Sequence, residues 1–204
     1  MKKVVGLFLL WGLAASAQAS SDAALQALLA DPAARQAAEA AGKKAAFFCA
    51  NCHGDNGVSK LPEVPNLAGQ NPAYLLEQIR KFGSGQRRDE FMQGLIKVLK
   101  DDERLQISMF YASQQPVPGK QEAALVAAGK VVYEKLCSRC HGEQARGNET
   151  IPRLAGQHPE YLATSVTRYR DKTGERRDPL MSSAVAPLKN ADIKAVAAYL
   201  NTLP

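Results

Sequence analysis

The four cysteines of this chain fall into two motifs of the form Cys-x-x-Cys-His-Gly. The first reads CANCHG from Cys49, and the second reads CSRCHG from Cys137. Two thiols at this spacing, with an imidazole beside the second, admit four chemistries: a thiol–disulfide redox centre, a zinc site, a plain disulfide, or covalent attachment of haem through its two vinyl groups. The sequence around the motifs favours one of the four.

That context favours haem attachment. A thiol–disulfide centre normally follows a β-strand, whereas a helical pattern precedes each motif here. A structural zinc site needs four ligands, and each motif supplies three. A disulfide alone gives no reason for a histidine after every second cysteine. The motifs therefore predict two covalently bound haem c groups, each with histidine as an iron ligand. The predicted residues are Cys49, Cys52 and His53 for one haem, and Cys137, Cys140 and His141 for the other.

The second axial ligand of each iron is predicted to be a methionine. Met92 and Met181 follow the two motif histidines by 39 and 40 residues, and both come shortly after Arg-Arg-Asp. Met109 lies in a predicted helix and is expected in the core. His158 has Asn71 as its counterpart, so it is interpreted as a residue at a helix start. A thioether opposite imidazole leaves iron without an open position and raises its reduction potential.

The motifs belong to an internal repeat with a period of 87 to 89 residues. PNLAGQNPAYL from Pro65 aligns with PRLAGQHPEYL from Pro152, and QRRDEFM aligns with ERRDPLM. Tyr111 pairs with Tyr199 near the ends of the two copies. Such a period is too long for a solenoid unit and indicates tandem domains.

The N-terminus is predicted to be a secretory signal peptide. Lys2 and Lys3 precede an apolar stretch, which ends at the small-residue site Ala-Gln-Ala. The expected location is the periplasm, where an exported chain carries its cysteines in an oxidising compartment. The predicted segments are a signal peptide at 1–19, an N-terminal domain at 20–113, a linker at 114–121 and a C-terminal domain at 122–204.

Each copy is predicted to be helical. Asp31, Asn71, His158 and Asp178 each precede proline, which is typical of a helix start. The last segment of each copy has apolar residues at three-to-four spacing, and no segment alternates as a strand would. The fold class is therefore all-α. The long loops rich in Gly and Pro, and the 6% aromatic content, indicate packing on a large bound group rather than on side chains alone.

The net charge of +6 is unevenly distributed. Residues 22–115 contain 11 basic and 11 acidic side chains, whereas residues 116–204 contain 13 and 9. This small excess, with no run of five like charges, does not argue for nucleic acid. It indicates a docking surface on the second half for acidic partners or for the anionic membrane face. The basic residues predicted to contribute to this surface are Arg139, Arg146, Arg153, Arg168, Arg170, Lys172, Arg176 and Arg177.

The paired motifs, the two LAGQ segments and the two Arg-Arg-Asp regions resemble class I cytochromes c, in the doubled form of the dihaem cytochrome c4 family. The resemblance covers essentially the whole mature chain. It implies two class I cytochrome c folds related by a pseudo-twofold axis, with the haem edges close at their interface. It also implies that the carbonyl groups of Pro65 and Pro152 accept the ring N–H of His53 and His141.

The resemblance implies an electron carrier rather than an enzyme, without a small-molecule substrate. The implied partners are a quinol-oxidising complex as donor and a terminal oxidase as acceptor, with peripheral membrane association. Two alternatives remain open at this stage: a dihaem electron-accepting subunit of a sulfide-oxidising flavocytochrome, and a dihaem peroxidase.

Overall fold

The computed structural model describes residues 19–174 and 178–204. The predicted signal peptide therefore lies outside the described residues, apart from Ala19. Regular structure within these ranges is helical throughout, as predicted, and none of these helices is long and apolar enough to cross a bilayer. The helices are α1 (19–30), α2 (Pro32–Ala45), α3 (Ala50–His53), α4 (Pro72–Ser84), α5 (Glu90–Lys97), α6 (Asp101–Ser113), α7 (Ala123–Leu136), α8 (Ser138–His141), α9 (Pro159–Asp171), α10 (Pro179–Val185) and α11 (Asn190–Thr202).

Aspartate side chains fix three of the helix starts. The Asp31 carboxylate accepts the backbone N–H groups of Ala33 and Ala34 at the start of α2. Asp89 and Asp178 cap α5 and α10 in the same way, and each accepts the backbone N–H of the methionine three residues later. These caps satisfy N–H groups that have no partner inside the helix. They also fix the backbone of Met92 and Met181.

Each copy is built on a crossing between the long helix that precedes its cysteine motif and its last helix. α2 crosses α6, and α7 crosses α11. A glycine lies at each crossing: a Cβ on Gly42 would lie 2.0 Å from the Gln106 carbonyl oxygen, and one on Gly129 equally close to that of Ala195. Only glycine permits this approach of two backbones.

Gly42→Ala should destabilise the protein by about 1–3 kcal/mol. The added methyl group meets backbone rather than a flexible side chain, so the helices must move apart. Gly94→Ala in α5 is the matched control, because a Cβ there meets nothing within 4 Å. The control should stabilise by up to about 1 kcal/mol. Guanidinium unfolding of the haem-loaded protein measures the free energy of unfolding of both variants. Equal changes in the two variants would show that the backbones at the crossing are less close than the structure indicates.

The crossings correct one predicted pairing. Phe110 contacts Gly42 in the first copy, and Tyr199 contacts Gly129 in the second. Tyr111 is therefore equivalent to Leu200, and their carbonyl groups accept equivalent bonds from Gly69 and Gly156. The expected pairing of Tyr111 with Tyr199 is wrong by one residue, because the close approach of the helices, rather than residue identity, sets the register.

The first copy has an additional helix, α1, that the local sequence signals do not indicate. Leu25 of α1 is buried with Ala38, Leu76 and Met109. Arg80 anchors α1 by an ion pair of 2.6 Å with Asp22. In the second copy, non-helical residues 115–122 precede the first helix instead. α1 thus covers one face of the first copy only.

The two copies meet at their LAGQ segments. The Gln70 amide accepts the backbone N–H of Arg153 at 2.7 Å and donates to its carbonyl oxygen at 2.9 Å. Gln157 makes the same two bonds to Asn66, also at 2.7 and 2.9 Å. This symmetry matches the pseudo-twofold relation that the resemblance implies.

Candidate haem-attachment sites

The two Cys-x-x-Cys-His motifs have the same local structure. Each first cysteine follows a long helix, and a single short helix, α3 or α8, carries the next residues up to the histidine. Gly54 and Gly142 then turn the chain at φ of 80° and 79°, a region that glycine favours. All four cysteines are free thiols. Each motif thus presents two thiols and an imidazole on one turn of backbone.

The motif histidines are buried and held at one ring nitrogen. Nδ1 of His53 lies 2.9 Å from the Pro65 carbonyl oxygen, and Nδ1 of His141 lies 3.0 Å from that of Pro152. A carbonyl only accepts, so Nδ1 carries the proton and Nε2 is the basic nitrogen. Within the described part of the chain, neither Nε2 has a hydrogen bond. Each histidine is therefore arranged to bind a metal through Nε2.

Burial lowers the pKa of both histidines, against the opposing effect of the bond to proline. For His53, the positive charge of Arg87 lowers it further. A neutral imidazole is the form that coordinates a metal. The pKa shifts therefore favour the ligand form of both side chains.

The thiols do not have the character of a redox-active pair. Burial raises the pKa of Cys49, and it raises that of Cys137 to about 11. Reactive cysteines in thiol–disulfide enzymes have lowered pKa values instead. Among the described residues, no group of three or more His, Cys, Asp or Glu side chains is arranged to hold a metal ion, which gives the zinc alternative no support.

The methionines lie in different environments. Met109 is 2% exposed within the apolar cluster around Leu25, as expected of a core residue. Met92 and Met181 are half-buried in the first turns of α5 and α10, and Met181 packs on the cluster around Val185. The half-buried pair has thioethers that a bound group could still reach. Their assignment as axial ligands stays a prediction.

The residues present fit a haem in each copy. Large apolar side chains that precede the predicted haem ligands are left uncovered by protein: Phe47, Phe48, Phe91 and Leu180 are 66–83% exposed. Phe48 adjoins Cys49, whereas Phe91 and Leu180 adjoin Met92 and Met181. Uncovered apolar side chains next to free thiols and a free Nε2 are consistent with a large apolar group held covalently and through iron.

A buried tyrosine reaches each motif from a different helix. Tyr133 of α7 donates its hydroxyl to the Gly142 carbonyl oxygen. Ala46 takes the equivalent position in the first copy, and Tyr111 of α6 fills that volume where the second copy has Leu200. Among the described residues, the Tyr111 hydroxyl has no hydrogen-bond partner. The tyrosine that fills this space therefore comes from the last helix, α6, in the first copy and from α7, the helix before the motif, in the second copy.

Tyr133→Phe should cost about 0.5–1.5 kcal/mol of stability, since it removes the hydrogen bond that the tyrosine hydroxyl donates to the Gly142 carbonyl oxygen. Tyr111→Phe is the matched variant and should change stability by less than about 0.5 kcal/mol, because no bond is lost. Thermal unfolding of the haem-loaded variants gives both values. A larger loss at Tyr111 would mean that its hydroxyl is bonded in solution.

Comparisons with known proteins, by sequence and by structure, indicate the same family. The cytochrome c family model matches residues 126–204. Cytochrome c4 of Azotobacter vinelandii is 33% identical over 99% of this chain and 99% of its own. The thiosulfate dehydrogenase electron acceptor of Thiomonas intermedia is 32% identical over 81% of this chain and 82% of its own. The crystal structure of reduced recombinant cytochrome c4 from Pseudomonas stutzeri aligns with a TM-score of 0.74 at 30% identity, covering 80% of this chain and 97% of that one. The all-helical cytochrome c fold predicted from the sequence is confirmed.

Proposed function

We propose that this chain, which belongs to the cytochrome c4 family, is a periplasmic dihaem carrier that passes single electrons between respiratory proteins. Members of the family are electron carriers rather than enzymes. One observation carries the proposal most directly: both motif histidines are oriented by a proline carbonyl with Nε2 left for iron. The proposed domains are 20–113 and 122–204, joined by 114–121.

The proposed haem sites use four residues each. The thioether links would be formed by Cys49 and Cys52 in one copy and by Cys137 and Cys140 in the other. A bound haem would supply a one-electron redox centre at each site. The chain supplies the rest: His53 and Met92, or His141 and Met181, are the proposed axial ligands. Two protein ligands leave no open iron position, which supports electron transfer over catalysis on a small molecule.

The proposed location rests on the N-terminal sequence. Residues 1–19 have the composition of a signal peptide, and attachment of haem through thiols is proposed to take place after export. The proposed donor is a quinol-oxidising complex, and the proposed acceptor is a terminal haem–copper oxidase at the membrane surface. Mixing the reduced protein with oxidase-containing membranes should give rapid reoxidation that cyanide blocks. Failure of the oxidase to reoxidise it would remove this acceptor from the proposal.

A second candidate function has specific support. The similar protein from Thiomonas intermedia is described as the electron acceptor of thiosulfate dehydrogenase. This chain is accordingly proposed, as the alternative, to accept electrons from an enzyme that oxidises a sulfur compound. Thiosulfate with its dehydrogenase should then reduce the protein in stopped-flow mixing. Reduction by the sulfur enzyme without reduction by the quinol-oxidising complex would favour this function.

The charge asymmetry suggests where partners dock. Arg168 and Lys172 are exposed near the end of α9. Arg170, between them, is bonded to the Leu188 carbonyl and Asn190, so it serves the fold instead. Of the predicted basic set, Arg176 and Arg177 lie outside the described residues. We therefore propose Arg168 and Lys172 as contacts for acidic partners.

Reversing Arg168 and Lys172 to Glu should slow association with an acidic acceptor by about tenfold or more at low ionic strength, because electrostatic steering is lost. The salt dependence should flatten as well. Lys60→Glu with Lys97→Glu changes the same number of exposed charges in the first half and is the matched control. A stopped-flow salt series compares the two. Equal slowing by both pairs would contradict docking through the second half.

A further inference from the structure

A peptide group links each motif histidine to a glutamine of the other copy. The carbonyl oxygen of the Pro65–Asn66 peptide accepts the His53 Nδ1–H at 2.9 Å. The N–H of the same peptide donates to Oε1 of Gln157 at 2.7 Å. Gln157 therefore lies two hydrogen bonds away from the His53 ring, although it belongs to the second copy.

The second copy has the same arrangement with the roles exchanged. The Pro152–Arg153 peptide accepts the His141 Nδ1–H at its carbonyl oxygen, at 3.0 Å. It donates its N–H to Oε1 of Gln70 at 2.7 Å. Each histidine is thus connected to the opposite copy by one peptide group and one glutamine.

The glutamine amides are locked in one orientation. Gln70 and Gln157 are 7% and 6% exposed. Each amide binds one backbone residue of the other copy through both of its polar atoms. Oε1 accepts the N–H of that residue, and Nε2 donates to the carbonyl oxygen of the same residue at 2.9 Å. In a flipped amide, the NH₂ group would face the backbone N–H and the amide oxygen would face the carbonyl oxygen. The observed orientation instead pairs both amide atoms with both backbone groups. The bond from each peptide N–H to Oε1 is therefore a fixed feature of the interface.

We propose that Gln157 and Gln70 are positioning residues that tune the axial histidine of the opposite domain. Hydrogen bonds in series polarise one another, so donation at the peptide N–H makes its carbonyl oxygen a stronger acceptor. A stronger bond at Nδ1 raises the basicity of Nε2, which stabilises ferric over ferrous iron and lowers the reduction potential. Each haem potential then depends on docking of the other domain. The inference rests on the proposed roles of His53 and His141 as iron ligands.

Gln157→Leu is the direct test, because leucine keeps the approximate size of the side chain but removes both hydrogen bonds to Asn66. It also removes the bond that Oε1 accepts from the neighbouring His158 N–H. In the ferrous protein, the Nδ1–H proton resonance of His53 should move upfield while that of His141 stays. The potential of the haem on Cys49 and Cys52 should rise, and that of the other haem should not change. Gln70→Leu should give the mirror result. Equal shifts at both haems, or a shift in the glutamine's own domain, would overturn the proposal.

A further variant separates tuning from general loosening of the interface. Asn71→Ala removes two cross-copy bonds of 3.2 Å, to the carbonyl groups of Arg146 and Ile151, and touches neither peptide. It should leave both Nδ1–H resonances in place. A shift of the His53 resonance as large in Asn71→Ala as in Gln157→Leu would contradict the inference.

Failure of the proposed function gives a different result. If His53 does not bind iron, the protein without substitutions shows no His53 resonance shifted by an attached haem. If His53 binds iron but Gln157 has no effect on it, the optical spectrum is normal and the crosswise shifts are missing. The first result removes the haem assignment, and the second removes only the tuning role.

Discussion

Replacing Cys137 and Cys140 together by alanine should leave one covalent haem per chain and unfold most of the second domain. The loop between α8 and α9 contributes only two small residues, Ala145 and Ala155, to the buried cluster of the second copy. A loop of this length without secondary structure depends on a bound group for packing, and the free energy of binding that group is then part of the folding free energy. Mass spectrometry and amide hydrogen exchange measure the two effects.

The matched control changes the same motif without touching a thiol. Ser138→Ala removes a hydroxyl that donates to the Glu134 carbonyl at the end of α7. This control should keep two haems and a folded second domain. Two covalent haems in the double cysteine variant, or unchanged protection of residues 142–157 from exchange, would show that the proposed attachment is wrong.

Met92→Ala and Met181→Ala should each remove the near-infrared thioether-to-iron band of one haem. The loss of a thioether ligand should also lower that haem's potential by on the order of 0.1 V or more, within the roughly 0.8 V range that axial ligands span. Each variant should affect only the haem of its own domain. Absorption spectroscopy and a redox titration measure these changes.

Met109→Ala distinguishes a ligand from a core methionine. Met109 is enclosed with Leu25, Ala38 and Leu76. Its removal should cost about 2–5 kcal/mol of stability through lost packing while leaving both thioether bands intact. Loss of a band in the Met109 variant, with both bands retained in the Met92 variant, would reverse the assignment.

Local signals in the sequence predicted several of the helix starts, although they did not indicate α1. Asp31 and Asp178 precede proline, and the structure has the expected capped helix starts at both positions. These signals act within three or four residues, so they can be read without knowing the fold. The spacing of the cysteine motifs is equally local, which is why the attachment residues could be proposed from sequence.

Contacts between distant residues could not be predicted in the same way. Gln70 and Gln157 look like ordinary surface amides until the two copies are docked, and each then binds backbone more than 80 positions away. The exchange of Tyr111 for Tyr133 has the same origin, because two helices fill one volume. The interpretation of His158 as a helix-start residue was incomplete for this reason. Its Nε2 also donates to the Ser59 carbonyl of the other copy, at 2.9 Å.

The optical spectrum of the purified protein, oxidised and reduced and with and without cyanide, tests the central claim most directly. Two low-spin haems with histidine and methionine ligands predict two haems per chain, a thioether band for each, and no change when cyanide is added at modest concentration. Reduction should proceed fully without a high-spin form. A single haem, a high-spin component, or ready binding of cyanide by one iron would contradict an electron carrier with two closed sites.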